Sequence, residues 1–234
     1  MKNLVLSDSF YQKNSYQQFS LVKNYVYMGN GDLDDFGILR HKQSAYIFQD
    51  AENPKIGYRI YKSYWRDNFD HFKDASMLQR LYMNGGDISD IDFPYGVITR
   101  ENRIIGQVIP YYEDGTDMAC FSENARENLT RAYFLLKELC DHYIYYLDVH
   151  GHNFLITSQG MKLIDFDQEF VAFSSPTAGF DMFYERTLVM NFITMVHSIL
   201  GYRLGFYHVF TMSGLYDGLM ELLDFDDKAK ALKK

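Results

Sequence analysis

Tyr146-Leu147-Asp148-Val149-His150-Gly151-His152-Asn153-Phe154-Leu155-Ile156 runs into a polar turn, Thr157 to Gly160, and resumes as Met161-Lys162-Leu163-Ile164-Asp165-Phe166-Asp167. Asn153 stands five positions after Asp148, and Asp165 twelve positions after Asn153. Two short apolar segments, Phe154–Ile156 and Met161–Ile164, flank the Ser-Gln-Gly turn and are expected to pair as a hairpin. Pairing would carry Asn153 and Asp165 to one end of the ribbon, with Asp148 just before it. A carboxylate with an amide oxygen is a hard-oxygen donor set suited to Mg²⁺, which keeps waters and takes its other ligands from substrate phosphates. A second carboxylate alongside could accept a proton from an attacking hydroxyl. Asp and Asn are common at turns, so the discriminating feature is the spacing to an Asp bracketed by apolar strands.

Working outward, residues 20–65 read as strands separated by turn signals: Tyr25–Met28, Ala45–Phe48 and Ile56–Lys62. Residues 68–83 read as a helix, with Phe69, Phe72, Met77, Leu78 and Leu81 on or near one stripe and Gly85-Gly86 as the stop. Two β-prone runs follow, Tyr95–Thr99 and Arg103–Tyr111, joined by Arg100-Glu101-Asn102. Pro110 to Gly115 is a turn-rich connector. A long helix is expected from about Glu123 to Tyr145, where Leu129, Ala132, Tyr133, Leu136, Leu139, Cys140 and Tyr143 keep the helical period. Beyond the hairpin, Asp181–Gly201 and residues 204–233 have helical character.

The loop and hairpin resemble the catalytic and metal-binding loops of the protein-kinase-like superfamily. Asp148-Val-His-Gly-His-Asn153 is closer to the Asp-x-His-x-x-Asn pattern of aminoglycoside phosphotransferase and choline-kinase-like enzymes than to protein kinases with His-Arg-Asp. The element order agrees with that family. The resemblance implies an α+β, bilobal protein-kinase-like fold: a five-stranded antiparallel N-lobe with one helix, residues 1–112, and a compact, mostly helical C-lobe, residues 113–234. It also implies an ATP- and Mg²⁺-dependent phosphotransferase acting on a hydroxyl acceptor, either a small molecule or a protein. Asp148 would be the catalytic carboxylate, with Asn153 and Asp165 holding metal.

The remaining family parts map less evenly. Lys62, ending the third strand, falls where the family's phosphate-binding lysine stands; the plain reading is an exposed strand-end lysine. The helix Glu that would hold it is absent, and Asp74, on the face of Leu78 and Leu81, is the substitute. No Gly-x-Gly-x-x-Gly occurs. Gly29-Asn-Gly31 follows one strand, and Gly37-Ile-Leu-Arg40-His41-Lys42 precedes the next. The second resembles the basic phosphate loop of small bacterial kinase-like proteins of the PhoP-regulatory-network type. Asp32, Asp34 and Asp35 would repel a triphosphate, which favours Gly37 and Arg40 as the phosphate contact. Tyr111 and Tyr112 occupy the hinge position, as adenine walls or as packing. His150 would sit near the transferred phosphoryl group or steady the loop, and His152 reads as structural. Asp167 replaces the Gly of Asp-Phe-Gly; it either adds a carboxylate to the metal or caps the next segment.

Composition narrows the partners. The 234 residues are 47% hydrophobic and 23% charged, an ordinary globular balance. The formal net charge of −8 opposes unspecific binding to nucleic acid or anionic membrane. Two cysteines, Cys120 and Cys140, give no disulfide framework. The first residues carry no stretch apolar enough for a signal peptide, and no segment reaches membrane-span length, so a cytoplasmic protein is expected. Two other readings stay open. One is a pseudokinase, a nucleotide-responsive binding module, motivated by the irregular glycine loop and missing helix Glu. The other is an unrelated α+β protein.

Overall fold

The computed structural model describes residues 4–6, 20–23, 45–50, 53–61, 76–88, 90–100, 103–120, 124–166, 170–174, 181–201 and 211–231. Gly37, Arg40, Lys62, Asp74 and Asp167 lie outside the described residues, as does the expected strand Tyr25–Met28. The chain divides into two compact units. The first comprises Met1–Tyr82 with Phe93–Glu113, and the second Met83–Asp92 with Asp114–Lys234. Neither is one continuous stretch, whereas the sequence alone points to a single boundary after residue 112.

The described part of the first unit is a six-stranded sheet. Its strands are β1 (Leu4–Leu6), β2 (Ser20–Lys23), β3 (Ala45–Gln49), β4 (Ile56–Tyr61), β5 (Gly96–Arg100) and β6 (Arg103–Pro110), in the order β1-β5-β6-β4-β3-β2. This corrects the expected five antiparallel strands. Leu4, Val5 and Leu6 pair in parallel with Gly96, Val97 and Ile98, adding a strand at the edge beside β5. A three-residue apolar run is too short to display an alternation, so only the pairing defines it. The other pairs are antiparallel.

The β3–β4 connection closes at Asn53-Pro54, a turn-favouring dipeptide. Asp50 accepts the Asn53 amide at 2.7 Å and a short hydrogen bond from the Tyr58 hydroxyl, which anchors the turn to the strand. Helix α1 (Ser76–Gly85) starts in this unit with Met77, Leu78 and Leu81 buried. Tyr82 donates to the Pro94 carbonyl at 3.0 Å and meets Phe93 edge-on.

The second unit is built around helix α2 (Ala125–Asp141). Leu129, Ala132, Leu136 and Leu139 are fully buried at three- and four-residue spacing. Each buried Leu contributes roughly 1.5–3 kcal/mol of transfer free energy. The helix stops earlier than its periodicity indicates. Tyr143 adopts φ 60°, a left-handed conformation that ends the helix, and β8 (Ile144–Tyr146) begins at once with all three side chains buried.

Helix α3 (Asp181–Leu200) and helix α4 (Met212–Ala231) meet α2 around Tyr133. The Tyr133 hydroxyl donates to the Met212 carbonyl at 2.9 Å, and Glu185 accepts the Met212 amide at 2.8 Å. Burial, then the negative charge of Asp141, pushes the Tyr133 phenol up to about 12. Residues 83–92 belong here through a Lys162–Asp92 ion pair at 2.8 Å and a His142–Asp87 contact at 3.6 Å. Among the described residues, no helix is long and apolar enough to cross a membrane.

Candidate functional site

The expected hairpin is present in the second unit. Strand β9 (Phe154–Thr157) pairs antiparallel with β10 (Gly160–Leu163), and Phe154 faces Leu163 at the open end. Neither Ser158 nor Gln159 has a positive φ; Gly160, at 107°, absorbs the reversal. Thr157 Oγ1 donates to the Gly160 carbonyl at 2.8 Å and accepts the Gln159 amide at 3.1 Å. The Ser158 amide donates to Asp114 at 2.7 Å, and the Ser158 side chain first, then this amide, hold the Asp114 carboxyl below its ordinary range.

Register delivers the site residues. Ile164, the first residue past β10, donates its amide to the Asn153 carbonyl at 2.9 Å, so Asp165 follows directly on a residue bonded to Asn153. Asn153 closes a short 3-10 turn, η2 (Gly151–Asn153), and its amide donates to the His150 carbonyl at 3.0 Å. Its side chain is 1% exposed, and Nδ2 donates at 2.9 Å to both the carbonyl and the Oδ2 of Asp148. With Nδ2 turned to Asp148, the amide Oδ1 faces the other way, the donor an amide offers to a hard cation.

Asp148 is fixed from behind. Leu147 donates its amide to the Phe170 carbonyl at 2.7 Å beside the β8–β11 ladder, where β11 is Val171–Phe173. Asn191 of α3 donates to the Leu147 carbonyl at 2.5 Å. On the other flank, His150 Nε2 lies 3.3 Å from Asp148 Oδ2. The structure therefore brings Asp148, His150 and Asn153 together, with Asn153 hydrogen-bonded to Asp148 and His150 in close contact with it.

Asp165 has φ 68°. A non-glycine residue in the left-handed region stores strain and persists only when its surroundings over-determine it. Here the buried Tyr146 hydroxyl donates to the carbonyls of Ile164, at 2.9 Å, and Asp165, at 3.3 Å. Phe166, 1% exposed, packs edge-on against the Tyr146 ring. The residues on both sides of Asp165 are thereby pinned.

Sequence reasoning passed over several of these supports. Tyr146 and Asn191 brace the loop from β8 and α3. His152, read as structural, makes a short hydrogen bond to Asp117, a residue not singled out at all. A pairing 35 residues apart leaves no local pattern to find. Tyr111 and Tyr112 are half-buried in the first unit. Burial first, then Glu113, raises the Tyr111 phenol above its ordinary value. The Tyr111 amide donates to the Lys55 carbonyl at 2.9 Å, and its Cβ would stand 3.3 Å from a Cβ at Gly57, so Tyr111 is packed against β4.

Among the described residues, no three His, Cys, Asp or Glu side chains group so as to hold a metal ion. What the described geometry offers is the Asn153 amide bonded to the Asp148 carboxylate, with Asp165 next in the chain after the Asn153-bonded Ile164. Carboxylate and amide oxygens are the donor types Mg²⁺ takes, commonly one or two protein carboxylates with its other positions left to water and phosphate. Comparison with protein-family models and with curated proteins gives no match for this chain.

Proposed function

We propose that this protein is an ATP- and Mg²⁺-dependent phosphotransferase of the kinase-like type, moving a phosphoryl group to a hydroxyl acceptor. The observation that carries the reading is the Asp148–Asn153 hydrogen-bonded pair, with Asp165 held in a left-handed conformation one residue beyond the Asn153-bonded Ile164. A strained carboxylate braced by a buried tyrosine points to function rather than packing.

In this reading Asn153 Oδ1 and the Asp165 carboxylate hold Mg²⁺, and Asp167 is the further candidate. The ion would neutralise phosphate charge and orient the transferred group. Asp148 orients the acceptor hydroxyl and takes its proton as the new phosphate ester bond forms and the bond from the γ-phosphorus to the β,γ-bridging oxygen breaks, with ADP leaving. Its carboxylate is steered by Asn153 Nδ2 and His150 Nε2, both aimed at Oδ2. Lys62, with Asp74, is the sequence-based candidate for steadying the phosphates, and Gly37 and Arg40 for cradling them.

Incubation with ATP labelled at the α or the γ position tests the reading. Transfer or release of γ-label that needs Mg²⁺ and disappears in Asp165→Ala is expected. Label movement that survives Asp165→Ala removes the metal role. Metal-dependent ATP binding without any label movement would favour the nucleotide-responsive module instead.

A further inference from the structure

We propose that Asp117 and His152 are a positioning pair that holds the His150 ring against Asp148. The catalytic meaning of the pair rests on the phosphotransferase reading; its geometry does not. Asp117 ends β7 (Thr116–Asp117), which pairs with β9 through the Thr116–Ile156 and Asp117–Leu155 partners. The next residues form a second 3-10 turn, η1 (Met118–Cys120), whose Met118 is fully buried. Asp117 Oδ1 accepts the Ala119 amide at 2.9 Å, so the carboxylate is fixed by its own turn as well as by the strand. Its other oxygen takes the short hydrogen bond from His152 Nδ1. That bond sets which ring nitrogen carries the proton, and with it the orientation of the ring.

The two turns lie directly on one another. A Cβ added at Gly151 would come within 3.0 Å of the Ala119 Cβ and 3.1 Å of its Cα and amide nitrogen. Glycine is therefore what admits residues 117–119 beneath the loop. The His152 side chain, 18% exposed, sits edge-on to His150 with centroids 5.7 Å apart and planes at 62°. His150 Nε2 in turn reaches Asp148 Oδ2 at 3.3 Å. Asp117, His152, His150 and Asp148 thus form a row of two carboxylate–imidazole pairs joined ring to ring. One end is tied to a strand and a buried methionine. The other end carries the carboxylate assigned to the acceptor proton. Rotation of His152 would release the edge that limits His150, and His150 would lose its hold on Asp148.

The test uses the full chain with ¹⁵N-labelled histidine, comparing wild type with Asp117→Ala, Asp117→Asn and His152→Gln. Long-range ¹H–¹⁵N spectra report the His150 ring tautomer directly, without any need for activity. Asp117→Ala and His152→Gln should shift or broaden the His150 ring signals, and Asp117→Asn, whose single oxygen can serve either the Ala119 amide or the His152 Nδ1 proton but not both, should shift them as well. In the γ-label assay the first two variants should lower kcat by about 10- to 100-fold with KM for Mg-ATP within roughly 2-fold, the pattern of a misplaced group rather than lost binding. Unchanged His150 signals in folded Asp117→Ala, or in His152→Gln should the alanine variant fail to fold, overturn the proposal. A wild-type protein without label transfer would remove the phosphotransferase reading, yet the spectra would still decide the pairing.

Discussion

Asn153 commits its amide nitrogen to Asp148 twice, donating at 2.9 Å to the backbone carbonyl and to carboxylate Oδ2. One residue thereby closes the loop and sets the direction of the carboxylate. Because Asn153 is almost wholly buried, its side of this bond to a charged acceptor is shielded from water.

Asn153→Ala should therefore cost stability as well as function. Loss of a bond to a charged group leaves Asp148 under-satisfied, and roughly 1.5–3 kcal/mol is expected in urea unfolding. Mg²⁺-dependent stabilisation by ATP in a thermal-shift titration should vanish in the same variant. A variant that keeps both would separate Asn153 from loop and metal alike.

Asp165 offers a sign test, since its backbone is left-handed. Glycine relieves the steric cost that alanine retains, so Asp165→Gly should be more stable than Asp165→Ala by roughly 1 kcal/mol. Neither should support Mg²⁺-dependent nucleotide binding. Equal stability of the two variants would show that the conformation carries little strain.

Tyr146→Phe removes only the hydroxyl that bonds the carbonyls of Ile164 and Asp165. The ring remains packed on Phe166. A loss of about 0.5–1.5 kcal/mol is expected, together with a larger fractional loss of γ-label transfer than of ATP binding. An effect on stability alone would make the hydroxyl a packing feature.

Alkaline pH should weaken the fold before any surface group explains it. Burial, then the charge of Glu185, pushes the Cys140 thiol from near 9 up to about 12, and Tyr133 rises from near 10 to about 12. Above the ordinary thiol range the unfolded chain has released protons that the folded chain retains. Stability is then full at neutral pH and falls as pH rises from about 9 towards 12. Urea midpoints across that range should decline, and Cys140→Ala should flatten the slope. Native Cys140 should also resist alkylation at pH 8 until the chain is unfolded.

What the sequence made legible was local. The β9–β10 hairpin could be read because two apolar runs flank a polar turn, and α2 because its buried leucines keep one period. The end of α2 was not legible, since Tyr143 continues that period and only its backbone angle breaks the helix. Leu4–Leu6 owes its strand character to a partner some ninety residues away. The candidate site divides in the same manner. Asp148, Asn153 and Asp165 share one stretch, so their spacing could be read as a candidate set. Asp117 and Asn191 act from other elements, and Tyr146, though in the same stretch, bonds the far end of it, so these roles exist only once the chain has folded.

The assignment of Met83–Asp92 to the second unit bears on how the protein can be dissected. A fragment cut to begin at Asp114 would discard buried Ile88 and Ile91 and the carboxylate that neutralises largely buried Lys162. Such a fragment lacks one ion-pair partner of that ammonium and carries a gap in its own interior. Anyone wishing to isolate the second unit would need to graft the decapeptide back, for instance by circular permutation, rather than merely shorten the chain.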